Sequence, residues 1–258
     1  MKLHLQYNIN RNLERVARQL YDYWFVQFDF PNNEGKPYKS SGGEMLYEKM
    51  IKLHIPYGWQ VVKLSSIADV FNGATPSTAD DENYGNDYVW VTPKDLSGQK
   101  AKFTYRTARN ISMKGYNSCS THLMPKNTIL MSSRAPIGLL SIAGCELCTN
   151  QGFKSFVCKN NKLYQYLYYY LLTHMKQIEQ LGSGTTFKEV SREECVKFLI
   201  LVPPNDMIDN WFAKAEPLFQ SQFQNQKEID RLQHLRDELL PMLLNGQVNC
   251  DLSQRTLP

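Results

Sequence analysis

Between Leu96 and Cys145 the chain carries seven basic residues and no acidic one: Lys100, Lys102, Arg106, Arg109, Lys114, Lys126 and Arg134. Lysines and arginines grouped in this way can displace counterions from phosphates, which points to a surface that faces a polyanion. The plainer reading is a solvated basic face. Arg134, in "SSRAPIG", leads the candidates, because a guanidinium can bond O6 and N7 of a guanine together. Its other possible role is an internal salt bridge or a loop brace. Ser133 stands beside it. Asn150 and Gln151, in "TNQGF", have the carboxamides that pair with adenine, and the same groups can tie down their own turn. Lys154 follows three residues later. Residues 182–187, "GSGTTF", form a turn rich in small donors, from which Ser183, Thr185, Thr186 and Lys188 could reach phosphates. Lys94, Lys102 and Arg106 complete the basic set, and Thr75, Ser77 and Thr92 are weaker candidates.

Catalytic chemistry is harder to assemble from these residues. No glycine-rich phosphate loop is present, and "VPPND" has the wrong order for a methyltransferase Asn-Pro-Pro-aromatic motif. The five histidines, His4, His54, His122, His174 and His234, lack metal-ligand spacing. Cys145 and Cys148 have the spacing of a zinc half-site, but only Cys158 is near enough to add a third ligand. Buried strand thiols are the expected alternative. Asp80, Asp81 and Glu82 could hold a cation or simply form a polar loop, and the loop is preferred. Tyr166, Tyr168, Tyr169 and Tyr170 suit helix packing better than base stacking. The chain is therefore read as a non-catalytic binder.

Those residues need elements to hold them. Short β-prone runs recur through residues 56–204: "WQVVKLSSI", "YVWVT", "NTILMSS", "GLLSIAG", "FKSFVCK" and "KFLILVPP". Turn residues separate them, and residues 164–181 read as one helix among them. This region has 16 Lys/Arg against 11 Asp/Glu, while the flanks are almost neutral. On the N-terminal side, Ile9, Leu13, Val16, Ala17, Leu20 and Trp24 recur at helical spacing. On the C-terminal side, Ile229, Leu232, Leu235, Leu239 and Met242 form a coiled-coil-like seam. Pro217 should kink or restart that helix, and Pro241 sits where it can end. The predicted fold class is α+β: a β-rich α/β domain on a long antiparallel pair of helices. The boundaries are 1–30 for the first helix, 31–55 for an exposed connector, 56–204 for the domain and 205–250 for the last helix. Six cysteines, no signal peptide and no apolar run near the ~18 residues of a membrane span predict a cytoplasmic chain with reduced thiols.

In order along the chain stand "LYDYWFVQFDFPNNEGKPYKSSGG", "IPYGWQVVKLSSIADVFNGATPST", "MSSRAPIG", "TNQGFKSF", "GSGTTFKEVSREE", "ILVPP" and "LRDELLPMLLNGQV". Together they resemble the specificity subunit of a type I restriction-modification system. The resemblance implies a target-recognition domain that binds double-stranded DNA, and spacer helices that dock a modification subunit. S-adenosylmethionine would belong to that adenine-methylating partner. ATP and Mg would belong to a restriction subunit in the larger assembly, and no cofactor to this chain. Members of this family carry two recognition domains and are about twice as long. This sequence resembles the C-terminal half, either as a cut-down product or as a natural half-length protein. A homodimer through the helices would restore a two-part reader, with Leu13, Leu20, Trp24, Leu232, Leu235, Leu239 and Met242 as its contact residues. The rival expectation is an oligomerising scaffold that does not read DNA.

Overall fold

The computed structural model describes residues 2–97, 101–134, 136–184 and 188–245. Helix α1 (Lys2–Tyr21) closes in a wider π-helical turn, Asp22–Val26. A hairpin follows, β1 (Met45–Glu48) paired antiparallel with β2 (Leu53–Pro56). The domain opens with β3 (Gln60–Lys63), β4 (Ala68–Asn72), β5 (Tyr84–Tyr88), β6 (Trp90–Val91) and helix α2 (Pro93–Ser97). It continues through β7 (Phe103–Thr104), α3 (Met113–Asn117), β8 (Ile129–Ser132), β9 (Leu140–Ala143), β10 (Cys148–Thr149) and β11 (Phe153–Cys158). Helices α4 (Tyr164–Thr173), α5 (Met175–Gln180) and α6 (Arg192–Lys197) precede β12 (Leu199–Val202) and the long α7 (Asn205–Leu244).

The central sheet has the order β4-β11-β8-β9-β7. Its first four strands are antiparallel neighbours, and β7 joins β9 in parallel. β8 and the first four residues of β11 are buried on both faces, as strands covered on both sides must be. β3 and β12 pair antiparallel, so the start and end of the domain meet where α7 begins. The predicted β-rich runs all fall on or beside strands. The connector is more structured than expected: residues 31–55 include β1 and most of β2, and Tyr38 packs onto Phe30.

The helix predicted over 164–181 is interrupted at His174. There the Thr173 hydroxyl donates to Tyr169 O, and the amide of His174 donates to Tyr170 O. His174 itself leaves the helical conformation, with φ −99° and ψ 14°, and α5 restarts at once as Ile178 N donates to His174 O at 3.1 Å. α7, by contrast, runs through Pro217 without a break. A proline inside a helix loses one backbone bond and costs about 3 kcal/mol. Trp211, Ala215, Phe219 and Phe223, four residues apart and all buried, keep the helix seated on both sides of it. Pro241 also lies within the helix, which ends at Leu244.

α1 and α7 lie antiparallel, as Trp24 meets Trp211, Glu14 meets Gln222 and Gln6 meets Asn225. Tyr21, Trp24, Phe25, Tyr166 and Trp211 interlock there, with Phe25 5.0 Å from Trp211 and 4.8 Å from Tyr166, centroid to centroid. Large aromatic surfaces buried against three elements make the helices and the domain one packed unit. At ~1.5 Å per residue α7 is roughly twice as long as α1. Its last turns carry Leu235, Leu239, Leu240, Met242, Leu243 and Leu244, all exposed.

Candidate nucleic-acid interface

The register of the central sheet gathers the predicted motifs. Asn72, ending β4, pairs with Lys154 near the start of β11, and Phe153 pairs with Ser132 at the end of β8. The described chain segments at this end of the three strands are 73–79, 133–134 with 136–139, and 149–152. Residues 182–184 and 188–190 join them from after α5. Backbone bonds stitch the rim together. Ala74 N donates to Thr149 O at 3.0 Å, Ser133 N to Gly152 O at 2.8 Å, and Val190 N to Ser133 O at 3.0 Å. Ser183 and Glu189 exchange both backbone bonds, and Arg134 forms a β-bridge with Glu189. Gly73 makes the closest approach: a Cβ there would collide with the carbonyl oxygens of Thr149 and Asn150. Only glycine lets the two loops touch.

The candidates have different surroundings on this rim. Arg134 is half-buried, with Lys188 and Ser183 exposed nearby. Gln151 is exposed, and its side-chain oxygen accepts from the Thr75 hydroxyl, joining two motifs that lie 76 positions apart. Asn150 Oδ1 accepts from Gly152 N at 2.9 Å, so this side chain braces its own turn. Thr92 is taken up by Asp95, whose carboxylate accepts from both its amide and its hydroxyl, while Lys94 on α2 is exposed. Ser77 accepts from Ala79 N within its own loop. Thr185 and Thr186 lie outside the described residues. Ser133 is buried, its backbone used by Gly152 and Val190.

Two basic candidates, Lys154 and Lys102, are held inside the protein, and a third, Arg106, is exposed but tied to α7. Lys154 is buried, 3.0 Å from Glu189 Oε1, because β11 lies between two neighbouring strands and is covered on both faces. Lys102 is also buried, at the edge of the sheet opposite β4, at the seam with α1 and α7. It pairs with Glu14 and donates to Tyr169 Oη at 2.8 Å and Gln222 Oε1 at 2.9 Å. Burial holds its ammonium down at about 8, against the pull of Glu14. Arg106 pairs with Asp230 of α7 at 2.9 Å. Lys102 and Arg106 thus belong to the junction between domain and helices, and neither stands on the rim. Among the helix candidates, Trp24 is buried against Phe25 and Trp211. It is internal core and offers no surface to a partner. Leu13, Leu20 and Leu232 are half-buried, and Leu235, Leu239 and Met242 are exposed.

The alternative chemistries find little support. Among the described residues no three His, Cys, Asp or Glu side chains gather as a metal site requires. Burial pushes the Cys148 and Cys158 thiols up to about 12, which disfavours the thiolate a metal needs. Lys114 bridges Asp80 and Glu82 at 2.9 and 2.5 Å, so two of the three carboxylates of that acidic cluster already share a lysine. Tyr166, Tyr168, Tyr169 and Tyr170 of α4 are buried in helix packing.

Sequence reading passed over Glu189, Glu14, Gln222 and Gln226. The two glutamines did leave a signal: they interrupt the buried stripe of α7 beside Phe219 and Phe223. Gln226 spans Phe103, donating to its carbonyl at 2.7 Å and accepting from its amide at 3.1 Å. The carboxamide therefore completes the outer edge of β7, which would otherwise present unpaired backbone groups.

A family model described as "Type I restriction modification DNA specificity domain" matches residues 56–234. The MjaIX type I restriction enzyme specificity subunit of Methanocaldococcus jannaschii is 34% identical over 211 residues, 69% of this chain and 49% of that protein. The HindI specificity subunit of Haemophilus influenzae is 26% identical, covering 96% of this chain and 64% of its own length. The crystal structure of the HsdS subunit from Thermoanaerobacter tengcongensis superposes with a TM-score of 0.50 at 14% identity, over 95% of this chain and 54% of that one. The chain spans about half to two thirds of the length of the curated relatives it matches. With the family model covering more than half of its residues, it belongs to the type I restriction modification DNA specificity family.

Proposed function

We propose that the chain reads one half of a two-part DNA target through the loop rim and presents its helices to a methylating subunit. One observation carries this reading. Four motifs, scattered from Thr75 to Lys188, meet at one end of the central sheet with a guanidinium, a lysine and small donors along a single edge. Arg134 is the base-reading candidate. Lys188 and Ser183 are placed to bond phosphates, which fix register without reading sequence. Gln151 reaches the same edge from its link to Thr75.

The helices supply the second half of the proposal. The exposed leucines at the end of α7 lie beyond the pairing with α1 and form the docking face for a modification subunit. A second copy of this chain, joined through the same region, would supply the other half-site. In this assembly the partners carry S-adenosylmethionine, ATP and Mg, and this chain contributes recognition without catalysis. No described helix is long and apolar enough to cross a membrane, and the proposed setting is the cytoplasm, where the DNA is.

The test is to co-express the chain with its cognate methylating subunit and map modified adenines by long-read sequencing. A symmetric two-part motif is the expected result. A stable complex that leaves no modified motif would favour the scaffold reading, which the exposed leucines alone would satisfy. Changing Leu235 and Leu239 to Glu should abolish co-purification of the methylating subunit while leaving the thermal midpoint of the chain within about 2 °C.

A further inference from the structure

We propose that Lys154 and Glu189 form an internal clamp that sets the two described arms of the recognition loop, residues 182–184 and 188–190, against Arg134. Lys154 then governs target binding without touching DNA. The proposal rests on the reading of the rim as the DNA-facing surface, and it assigns the lysine a positioning role.

The geometry converges on Glu189. Its carboxylate accepts from Lys154 Nζ at 3.0 Å, and the same ammonium lies 3.4 Å from Ser133 Oγ. Its backbone bridges Arg134 on one side and Ser183 on the other. Next to it, Val190 N donates to Ser133 O. One glutamate therefore ties the strand end that carries Arg134 to the loop that carries Ser183 and Lys188. Lys154 is anchored in the second strand of the sheet, and its side chain is 6% exposed against 41% for Glu189. An ammonium enclosed to that degree has no path to a phosphate. The charge of Glu189 would repel DNA if unpaired, and Lys154 neutralises it from behind.

The contact and clamp roles predict opposite signs. The full chain is titrated with a duplex pool selected from random sequence by the wild type, across a range of salt. For a clamp, Glu189→Gln and Lys154→Gln each weaken binding about tenfold, and the double variant is no worse than the weaker single, since they break one shared link. Any change in salt dependence is the same in the two variants, because both release the same loop with its Lys188. If Lys154 instead bonds a phosphate, Lys154→Gln alone lowers the salt slope by about one contact. Glu189→Gln then tightens binding by removing a repulsive charge. Either of those results overturns the clamp.

Amide exchange separates this proposal from the wider reading. The amides of Ser183, Glu189 and Val190 should exchange faster in both variants, whether or not DNA binds, and unchanged exchange overturns the clamp. A wild-type chain without salt-dependent DNA binding, yet with faster exchange in the variants, sinks the DNA reading and leaves the clamp as a structural brace. Should Lys154→Gln fail to fold, Glu189→Gln, at the more exposed partner, carries both measurements.

Discussion

Lys102 and Lys154 are both buried lysines of the recognition domain, each paired with a glutamate distant in sequence, and their surroundings differ. Lys102 stands beside the edge strand β7, and Glu14 of α1, Gln222 of α7 and Tyr169 of α4 converge on it. Phe219, on α7, places its ring beneath the same ammonium at 4.1 Å. Lys154 stands in the second strand and meets one carboxylate and one hydroxyl, both on the rim. The first lysine joins three helices to a sheet; the second holds one loop. A buried charge with many partners fixes a frame, because losing any partner leaves the others desolvated. A buried charge with a single partly exposed partner can hold a loop in place without committing the whole fold to it. The junction should therefore respond to mutation through stability, and the rim through binding.

The sharpest way to break that contrast is to remove Glu14. Glu14→Leu leaves the Lys102 ammonium enclosed without its counter-charge. The expected loss is about 2–4 kcal/mol in denaturant unfolding, discounted for the partial exposure of Glu14. Adding Lys102→Met should recover most of it, since an apolar pair of similar volume removes the desolvation cost. A double variant as unstable as the single would mean that packing, not charge, holds the junction. Gln226→Leu comes next, with an expected loss of about 2–3 kcal/mol, because it strands both the amide and the carbonyl of Phe103. On the rim the pattern reverses. Arg134→Ala should cost less than about 1 kcal/mol of stability and weaken DNA binding roughly tenfold, the scale of one base or phosphate contact. A large stability loss there would turn Arg134 into a brace and remove the contrast between the regions.

The sequence could show periodicity and turn chemistry, and these identified the β-rich runs, the two flanking helices and the motifs of the rim. It could not show which lysines are buried. Lys102 and Lys154 read as surface charges because a lysine is rarely enclosed unless paired. Their partners, Glu14 and Glu189, are 88 and 35 positions away, and only the folded sheet brings them close. The hairpin of β1 and β2 escaped notice because its strands are short and mostly exposed, with little alternation to detect. Continuity of α7 through Pro217 was equally hidden. It depends on Trp211 and Phe223 finding their sockets, a tertiary effect that outweighs local propensity. Asn150 was weighed as a base reader or a turn brace, and its Oδ1 accepts from Gly152 N as a brace would.

The smallest expected effect concerns the proton on Lys102, and its sign tests whether the junction is a strained charge. Burial lowers this lysine from the ordinary 10.5 to about 8 in the folded chain. Below about pH 8 both folded and unfolded chains hold the proton, and folding carries the full cost of enclosing it. Between about 8 and 10.5 the folded lysine has released its proton while the unfolded one keeps it. The unfolded state then binds more protons, so rising pH favours the fold. Other groups titrate in the opposite sense at the upper end of this window: burial raises the cysteine thiols and the tyrosines of α4, and the fold loses stability as those ionise in the unfolded chain. The comparison must therefore be made against Lys102→Met, which retains every one of those groups. Relative to that variant, the wild type should gain on the order of 1–2 kcal/mol between pH 7.5 and pH 9.5, measured by urea unfolding at matched ionic strength. A flat difference would mean that Glu14 and the aromatic rings stabilise the ammonium as well as water does, and that the junction, like the rim, rests on a satisfied ion pair.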